Sequence, residues 1–310
     1  MKNTVLRSIT LILAATSILF VSSCSEDKEE NPVPQMKTIA EVASSNADFS
    51  ILVSALQKAD LVTTLNSAGP FTVFAPDNAA FNALFAQLGV SGIDDLSAEV
   101  LKPILLNHVL SAKVMSSAIA TSYASTANAG GPSLNAVSVF ILKGSTVMID
   151  GSKVTQADIE ASNGVIHAVD KVILPASVVS HALNNPDFSI LVQALVKANL
   201  TEALGQPGPF TVFAPTNAAF NALFATLGVS GINDLTAEAL TPILLYHVVS
   251  GNVRSNQVSS GNVPTLKEGS SLNIAVTGTS VKINGSSNVV AVDVQGTNGV
   301  IHAIDAVLLP

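Results

Sequence analysis

The chain carries Gly-Pro-Phe-Thr-Val-Phe-Ala-Pro at residues 69–76, and the same eight residues return at 208–215. A second block, Asn-Gly-Val-Ile-His-Ala, stands at 163–168 and again at 298–303. The spacing between the two copies of each block is far longer than the 20 to 50 residues of a solenoid unit. Each copy is also long enough to bury its own core. The repeated blocks therefore predict two tandem domains.

The two copies differ in length between these landmarks. The front blocks are 139 residues apart and the back blocks are 135 residues apart, so the second copy has lost a net four residues. Short differences of this kind lie in surface loops. The predicted domain boundaries are 37–175 and 176–310.

The first half of each copy has the apolar spacing of helices. One helix is predicted between an N-cap at Asp77 and a glycine stop at Gly89, and its counterpart lies between Thr216 and Gly228. We expect an earlier helix that follows Asp48, whose side chain can accept hydrogen bonds from the N–H groups of the first turn.

Later in each copy a further predicted helix contains a proline. Pro103 and Pro242 are expected to start or kink this helix because proline lacks the N–H group that a helix interior requires.

The second half of each copy contains short β-branched stretches separated by Gly, Asn, Asp and Ser, which predict strands. These are residues 137–142, 146–149, 164–174, 272–276, 280–283, 289–294 and 299–309. Asn163-Gly164 and Asn298-Gly299 are predicted tight turns, since both residue types tolerate positive φ. Helices followed by strands indicate an α+β domain with an antiparallel or mixed sheet.

The first residues are typical of export. Lys2 and Arg7 precede an apolar run from Ile9 to Val21 that is too short to span a bilayer comfortably, so residues 1–23 are a predicted signal peptide. Val21-Ser22-Ser23-Cys24 resembles the bacterial lipobox. Cys24 is the sole cysteine and cannot form a disulfide within the chain, so we expect it to be lipidated and to attach the protein to a membrane.

Residues 24–36 are acidic and contain two prolines, which predicts an extended tether. An acidic run after a lipidated cysteine resembles the surface-export signal of lipoproteins in some Gram-negative bacteria. The alternative is a linker whose charge only keeps it solvated. The expected location is the outer membrane with the domains at the cell surface, and a periplasm-facing arrangement is the alternative.

Composition argues against nucleic acid as a partner. Removing residues 1–23 takes away Lys2 and Arg7 and no acid, so the net charge falls from -8 to -10. Such a protein repels phosphate backbones, and without Trp and with only two Tyr it has little on which bases can stack.

Three boxes together suggest a family. Phe-Thr-Val-Phe-Ala-Pro, a later Leu-Leu-x-His-Val and the closing Asn-Gly-Val-Ile-His-Ala resemble the fasciclin (FAS1) domain over 37–175 and again over 176–310. The resemblance implies a β-wedge packed with a helical bundle and a role in adhesion to cells, matrix or carbohydrate.

The middle box supplies candidate adhesion residues through this resemblance. In some animal members, segments near it contact integrins, and members usually carry Tyr-His there. The second copy has Tyr246-His247, whereas the first has Asn107-His108. Asn107 therefore departs from the family pattern.

The histidines are the obvious candidates for chemistry. His108 and His247 lie on apolar helical stripes, while His167 and His302 alternate with apolar residues along strands. Residues within apolar periodicities are usually buried, so we expect neutral imidazoles that tie helix to sheet. His181 occurs in one copy only and is expected at the surface.

Catalytic and metal-binding motifs receive no support from the residues. Asp170 and Asp305 fall on the strand face opposite His167 and His302, so a His-Asp relay is not expected there. No histidine pair or cysteine cluster has zinc-ligand spacing, and no serine stands in a nucleophile motif. We expect no cofactor.

The sequence thus predicts a non-enzymatic, lipid-anchored adhesion protein that binds a protein, matrix or glycan partner through two domains. Tandem copies suit multivalent binding. A structural protein of the cell envelope is one alternative. A lyase or hydrolase built around His108 and His247 is a weaker one.

Overall fold

The computed structural model describes residues 35–310, in which each repeat contains five α-helices and seven strands. The first repeat comprises α1 (Ile39–Ser44), α2 (Ser50–Lys58), α3 (Val62–Asn66), β1 (Phe71–Pro76), α4 (Asn78–Leu88), α5 (Ala98–Asn107), β2 (Val109–Leu110), β3 (Ser122–Ser125), β4 (Ser138–Lys143), β5 (Val147–Ile149), β6 (Ser152–Ala161) and β7 (Gly164–Val169).

The second repeat has the same elements in the same order. It comprises α6 (Val178–Asn184), α7 (Ser189–Lys197), α8 (Thr201–Gly205), β8 (Phe210–Pro215), α9 (Asn217–Leu227), α10 (Ala237–Tyr246), β9 (Val248–Ser250), β10 (Gly261–Pro264), β11 (Ser271–Thr277), β12 (Ser280–Ile283), β13 (Ser287–Gly296) and β14 (Gly299–Ile304).

Each repeat forms one mixed seven-stranded sheet. The order is β2-β1-β7-β6-β5-β4-β3 in the first repeat and the same, read from the other end, in the second. β1 and β7 pair in parallel and the remaining neighbours are antiparallel. β6 and β13 each carry two register shifts, which are bulges that bend a strand. The predicted α+β class is confirmed.

Two apolar clusters hold each repeat together. In the first repeat, one cluster joins the helices to β1 and β7 and includes Phe49, Phe81 and Ile166. The other lies inside the bent sheet and includes Phe74 and Ile149. The second repeat has the equivalent pair of clusters. The fold is thus a sheet wedge with a core of its own, packed against a helical layer.

Helix α4 begins and ends where the sequence predicts. The Asp77 side chain accepts a hydrogen bond from the Ala80 N–H, and Gly89 ends the helix in the left-handed conformation with φ of 69°. Thr216 and Gly228 do the same for α9.

The predicted cap of α2 is wrong. Asp48 lies in a 3-10 turn (Ala47–Phe49) that Asn46 caps, and α2 then begins at Ser50 without a side-chain cap of its own. The Ile51 N–H donates instead to Asn78 Oδ1 from α4, at 3.0 Å. A residue distant in sequence has taken over the role of the cap.

The prolines lie inside their helices, and the tight turns differ from expectation. Pro103 and Pro242 stand within α5 and α10, so of their two expected roles the start of the helix is excluded. The turns fall one residue early, at 162–163 and 297–298, and Gly164 and Gly299 begin β7 and β14 without positive φ.

These glycines are required for space and not for a left-handed backbone. A Cβ on Gly164 would collide with the carbonyl of Phe71, and one on Gly299 with the carbonyl of Phe210. Glycine therefore lets the two central parallel strands of each sheet come together.

The copies differ most in the loop before β4 and β11, which is six residues shorter in the second repeat. Two residues are regained between the start of β11 and the start of β13, which gives the net loss of four. The first repeat has a long connection from residue 126 to 137, whereas the second is closed by a short turn from 265 to 270. The longer loop lies against the second repeat, because Asn135 Oδ1 accepts a hydrogen bond from Arg254 Nη1 at 3.1 Å.

Residues 36–310 form one unit in which the repeats pack against each other. Helix α6 and strand β13 of the second repeat contact β4 of the first. Gln295 donates its backbone N–H to Ser138 Oγ at 3.0 Å. The predicted signal peptide, Cys24 and all but the last two residues of the tether lie outside the described residues.

Candidate functional site

The middle-box histidines stand at the C-terminal ends of α5 and α10, where both are buried. His108 Nδ1 lies 2.8 Å from the Ile104 carbonyl, and its Nε2 accepts a hydrogen bond from the Ile173 N–H at 2.8 Å. Because Nε2 is the acceptor, Nδ1 carries the proton and donates. The ring thereby ties α5 to the segment that follows β7.

His247 repeats this geometry in the second copy. Its Nδ1 lies 2.8 Å from the Ile243 carbonyl, and its Nε2 accepts from the Leu308 N–H at 2.9 Å. Burial lowers the pKa of both His108 and His247 to about 4. Both rings are therefore neutral at pH 7 with each nitrogen engaged, which leaves no lone pair to act as a base.

The residues that precede these histidines are also buried. Tyr246 donates its hydroxyl to the Ser271 carbonyl at 3.0 Å and accepts from Asn284 Nδ2 at 2.9 Å. Asn107 instead meets the Ile173 carbonyl and the Thr126 hydroxyl, each at 3.4 Å. All four candidate adhesion residues thus lie in the interior, and none of them presents a side chain to a partner.

The strand histidines occupy the inside of the wedge. His167 Nε2 donates to the Val114 carbonyl at 2.9 Å, and its Nδ1 accepts from the Asp158 N–H at 3.1 Å. His302 makes the same contacts with Val253 and Asp293, at 2.9 and 3.4 Å. Burial is the main cause that lowers the pKa of His302.

A Ser-Asp-His cluster accompanies each of these rings, and the sequence analysis did not find it. Ser116 donates its hydroxyl to Asp158 at 2.5 Å, and Ser255 donates to Asp293 at 2.6 Å. The repeat itself marks these aspartates, because Asp158 and Asp293 each stand five residues before the repeated Asn-Gly pair.

The hydrogen bonds in this cluster run in the wrong direction for catalysis. A nucleophilic serine must give its proton to the imidazole. Here Ser116 donates to the carboxylate, and His167 Nδ1 is held by a backbone N–H. Asp158 and Asp293 have φ of 60° and 62° at the bulges of β6 and β13, so the cluster holds the backbone at these irregular positions of the sheet.

The cavities beside the middle-box histidines are too small for a substrate. The space lined by His247 measures about 20 Å³, and the one lined by His108 about 10 Å³. A single water needs about 10–15 Å³. These cavities hold at most one water.

His181 is at the domain contact and not at the surface as predicted. It is fully buried, and its Nε2 donates to the Gln295 carbonyl at 3.1 Å. Its ring meets Tyr123 of the first repeat edge-on, with centroids 5.7 Å apart. Burial lowers the pKa of His181 to about 4. Helical spacing within one repeat could not reveal a face that the other repeat covers.

Residues 35–310 meet the requirements of neither a metal site among their side chains nor a membrane span among their helices. No three His, Cys, Asp or Glu side chains come together there in a way that could hold a metal ion. Over the same residues, every helix falls short of the length and apolar character needed to cross a bilayer.

Comparison with known proteins gives one family. The model of the fasciclin domain matches residues 47–175 and 186–310. Protein sll1483 of Synechocystis sp. is 46% identical over 134 residues, which are 43% of this chain and 73% of that protein. Human periostin is 29% identical over 252 residues, which are 79% of this chain but only 29% of periostin.

A solved structure also contains a pair of such domains. The FAS1 domain pair from the insect cell adhesion molecule fasciclin I aligns with a TM-score of 0.52 at 20% identity, covering 86% of this chain and 98% of that one. At this identity the likeness is one of fold.

Proposed function

The chain belongs to the fasciclin family, and we propose from this that it is a non-enzymatic adhesion protein, anchored by lipid at Cys24. The observation that carries the proposal is the position of the imidazoles. All five histidines are buried, and His108 and His247 face spaces of water size. Recognition therefore belongs to the exterior of the two repeats.

The proposed partner is a protein, a matrix component or a glycan. Two modules in one compact unit can each contribute a contact, and a tethered second contact raises avidity by about 100-fold or more. Arrays of glycans and matrix proteins, probed with the soluble chain from residue 25 onward, test this. The proposal is supported if Ala substitutions of exposed residues weaken binding and His247→Ala leaves binding intact. Turnover of any array compound that His247→Ala abolishes contradicts it.

Lipid anchoring rests on Val21-Ser22-Ser23-Cys24 and on the absence of a second cysteine from the sequence. Metabolic labelling with a fatty acid should mark the wild-type chain and leave Cys24→Ser unlabelled. An unlabelled wild-type chain recovered in the soluble fraction would remove the anchor from the proposal.

The cell surface is the proposed location, and the acidic tether supports it. Protease treatment of intact cells should cut the protein together with a known surface marker. A protein that stays whole while the marker is cut would favour the periplasm-facing envelope role.

A further inference from the structure

The two repeats meet through an aromatic pair on the outer face of the first sheet. Tyr123 of β3 and Phe140 of β4 stand directly opposite each other, with ring centroids 4.9 Å apart. Tyr123 packs edge-on against His181, and its hydroxyl accepts a hydrogen bond from Asn185 Nδ2 at 3.0 Å. Phe140 is only 4% exposed. We call His181 and Asn185, at the end of α6, the docking corner of the second repeat.

The second repeat carries a different pair on the equivalent face. Asn262 of β10 and Asn273 of β11 occupy the same paired position in the register. Their side chains bond to each other, from Asn273 Nδ2 to Asn262 Oδ1 at 2.9 Å, and both are exposed. The surface that docks in the first repeat is therefore polar and open to solvent in the second.

The first repeat has its own version of the docking corner. By sequence alignment of the repeats, Val42 and Asn46 take the places of His181 and Asn185. Asn46 Oδ1 accepts from the Asp48 N–H at 3.0 Å, just as Asn185 Oδ1 accepts from the Asp187 N–H at 3.0 Å.

The shared cap bond fixes the orientation of both amides. Because the backbone holds Oδ1 in both residues, Nδ2 of Asn46 points in the same direction as Nδ2 of Asn185. In the second repeat, Asn185 Nδ2 donates to the Tyr123 hydroxyl. Val42 and Asn46 are both only half-buried, whereas His181 and Asn185 are buried under the neighbouring repeat. The corner of the first repeat thus presents the same oriented amide as the docking corner, and it is less buried.

We propose that the Val42–Asn46 corner is an open docking site for the sheet face of another fasciclin module that carries a Tyr–Phe pair. Asn262 and Asn273 prevent this chain's own second repeat from filling that site on a neighbouring molecule. A contact between two different surfaces grows into a ring or an open fibre, and a polar end on the array of repeats prevents this growth. This proposal depends on neither the lipid anchor nor the adhesive partner.

The test restores the aromatic pair on the second repeat of the otherwise intact soluble chain. Asn262→Tyr with Asn273→Phe should convert a monomer into head-to-tail oligomers whose mass in sedimentation velocity rises with concentration. Adding Asn46→Ala should weaken this association at least tenfold. Asn262→Ala with Asn273→Ala, which removes the amides without adding rings, is the matched control and should stay monomeric.

Several outcomes would overturn the proposal. The aromatic variant could remain monomeric while melting like the wild type, or it could associate regardless of Asn46→Ala. Wild-type chain that already associates in an Asn46-dependent way would refute the blocking role of the asparagines. The single variant Asn262→Tyr changes one exposed side chain and keeps the test available if the double variant folds poorly, because it should still form Asn46-dependent head-to-tail oligomers.

Discussion

Single side chains with two or three backbone partners recur at the places where the helical layer meets the sheet. His108 spans α5 and the segment after β7. Asn163 accepts from the Ile39 N–H and donates to the carbonyls of Leu65 and Ser67, which ties the closing turn to α1 and α3. In both cases the residue satisfies polar groups at the ends of elements, which would be costly to leave unpaired.

The first prediction concerns the histidine brace. His247→Ala removes two buried hydrogen bonds and leaves a cavity, so the free energy of unfolding should fall by about 3–4 kcal/mol. Urea unfolding measures this. Leu227→Ala, which shortens a half-exposed side chain on α9, is the control and should cost less than about 1 kcal/mol. A His247→Ala chain as stable as the control would show that the brace is dispensable.

The buried histidines also predict an acid transition. Burial lowers the pKa of His108, His181 and His247 to about 4, against 6.5 in the unfolded chain. Their stabilisation is complete above pH 6.5 and is lost as the pH falls towards 4, because only the unfolded chain takes up protons in this window. In this window each histidine lowers the free energy of unfolding by about 1.4 kcal/mol for every pH unit of acidification.

One carboxyl opposes the histidines. Burial raises the pKa of Asp150 to about 6, so the folded chain binds a proton there between pH 6 and 4 and gains stability as the pH falls. The stability gained at Asp150 over this pH range offsets the stability lost at one of the three histidines. Urea unfolding at pH 7 and pH 5 should show a net loss of stability at pH 5, and Asp150→Asn should make that loss larger. Equal stability of the wild-type chain at both values would contradict the buried neutral state of the rings.

At the scale of elements, prediction from sequence succeeded where the signals are local. The N-cap and the glycine stop of α4 lie next to the helix that they bound. It failed for α2, whose first N–H groups are satisfied by Asn78 from another helix. It also missed β6, which is polar at most positions, whereas the equivalent strand β13 contains a Val-Val-Ala-Val run that gives a clear strand signal.

The two kinds of glycine in this fold provide the third prediction. Gly228 ends α9 with φ of 69° and has open space around it, so Gly228→Ala should cost about 1 kcal/mol of backbone strain. Gly299→Ala should cost clearly more, although its φ is not positive, because its Cβ would meet the Phe210 carbonyl and push β14 away from β8. Thermal unfolding of both variants ranks them, and the reverse order would refute the close approach.

At the scale of the whole molecule, the contact between repeats is where polar groups remain unsatisfied. Among residues 35–310, the buried side-chain atoms without a hydrogen-bond partner are Asn128 Nδ2, Asp150 Oδ2 and His181 Nδ1. Asp150 lines a cleft of about 220 Å³ that Asn184 and Ser180 of the second repeat also line. Since unpaired buried groups cost free energy, the aromatic contact at Tyr123 and the hydrogen bonds between the repeats must offset that cost.

This balance makes Tyr123 the residue on which the coupling of the repeats depends, and it yields the last prediction. Tyr123→Ala removes the ring against His181 and the hydroxyl partner of Asn185, at a cost of about 2 kcal/mol, which lowers Tm by about 4–8 °C for a unit of this size. Calorimetry should show the wild-type repeats unfolding together and the variant resolving into two transitions. Asn262→Ala, on the equivalent face of the second repeat, should leave the trace unchanged. If Tyr123→Ala unfolds as the wild type does, the aromatic pair does not couple the repeats.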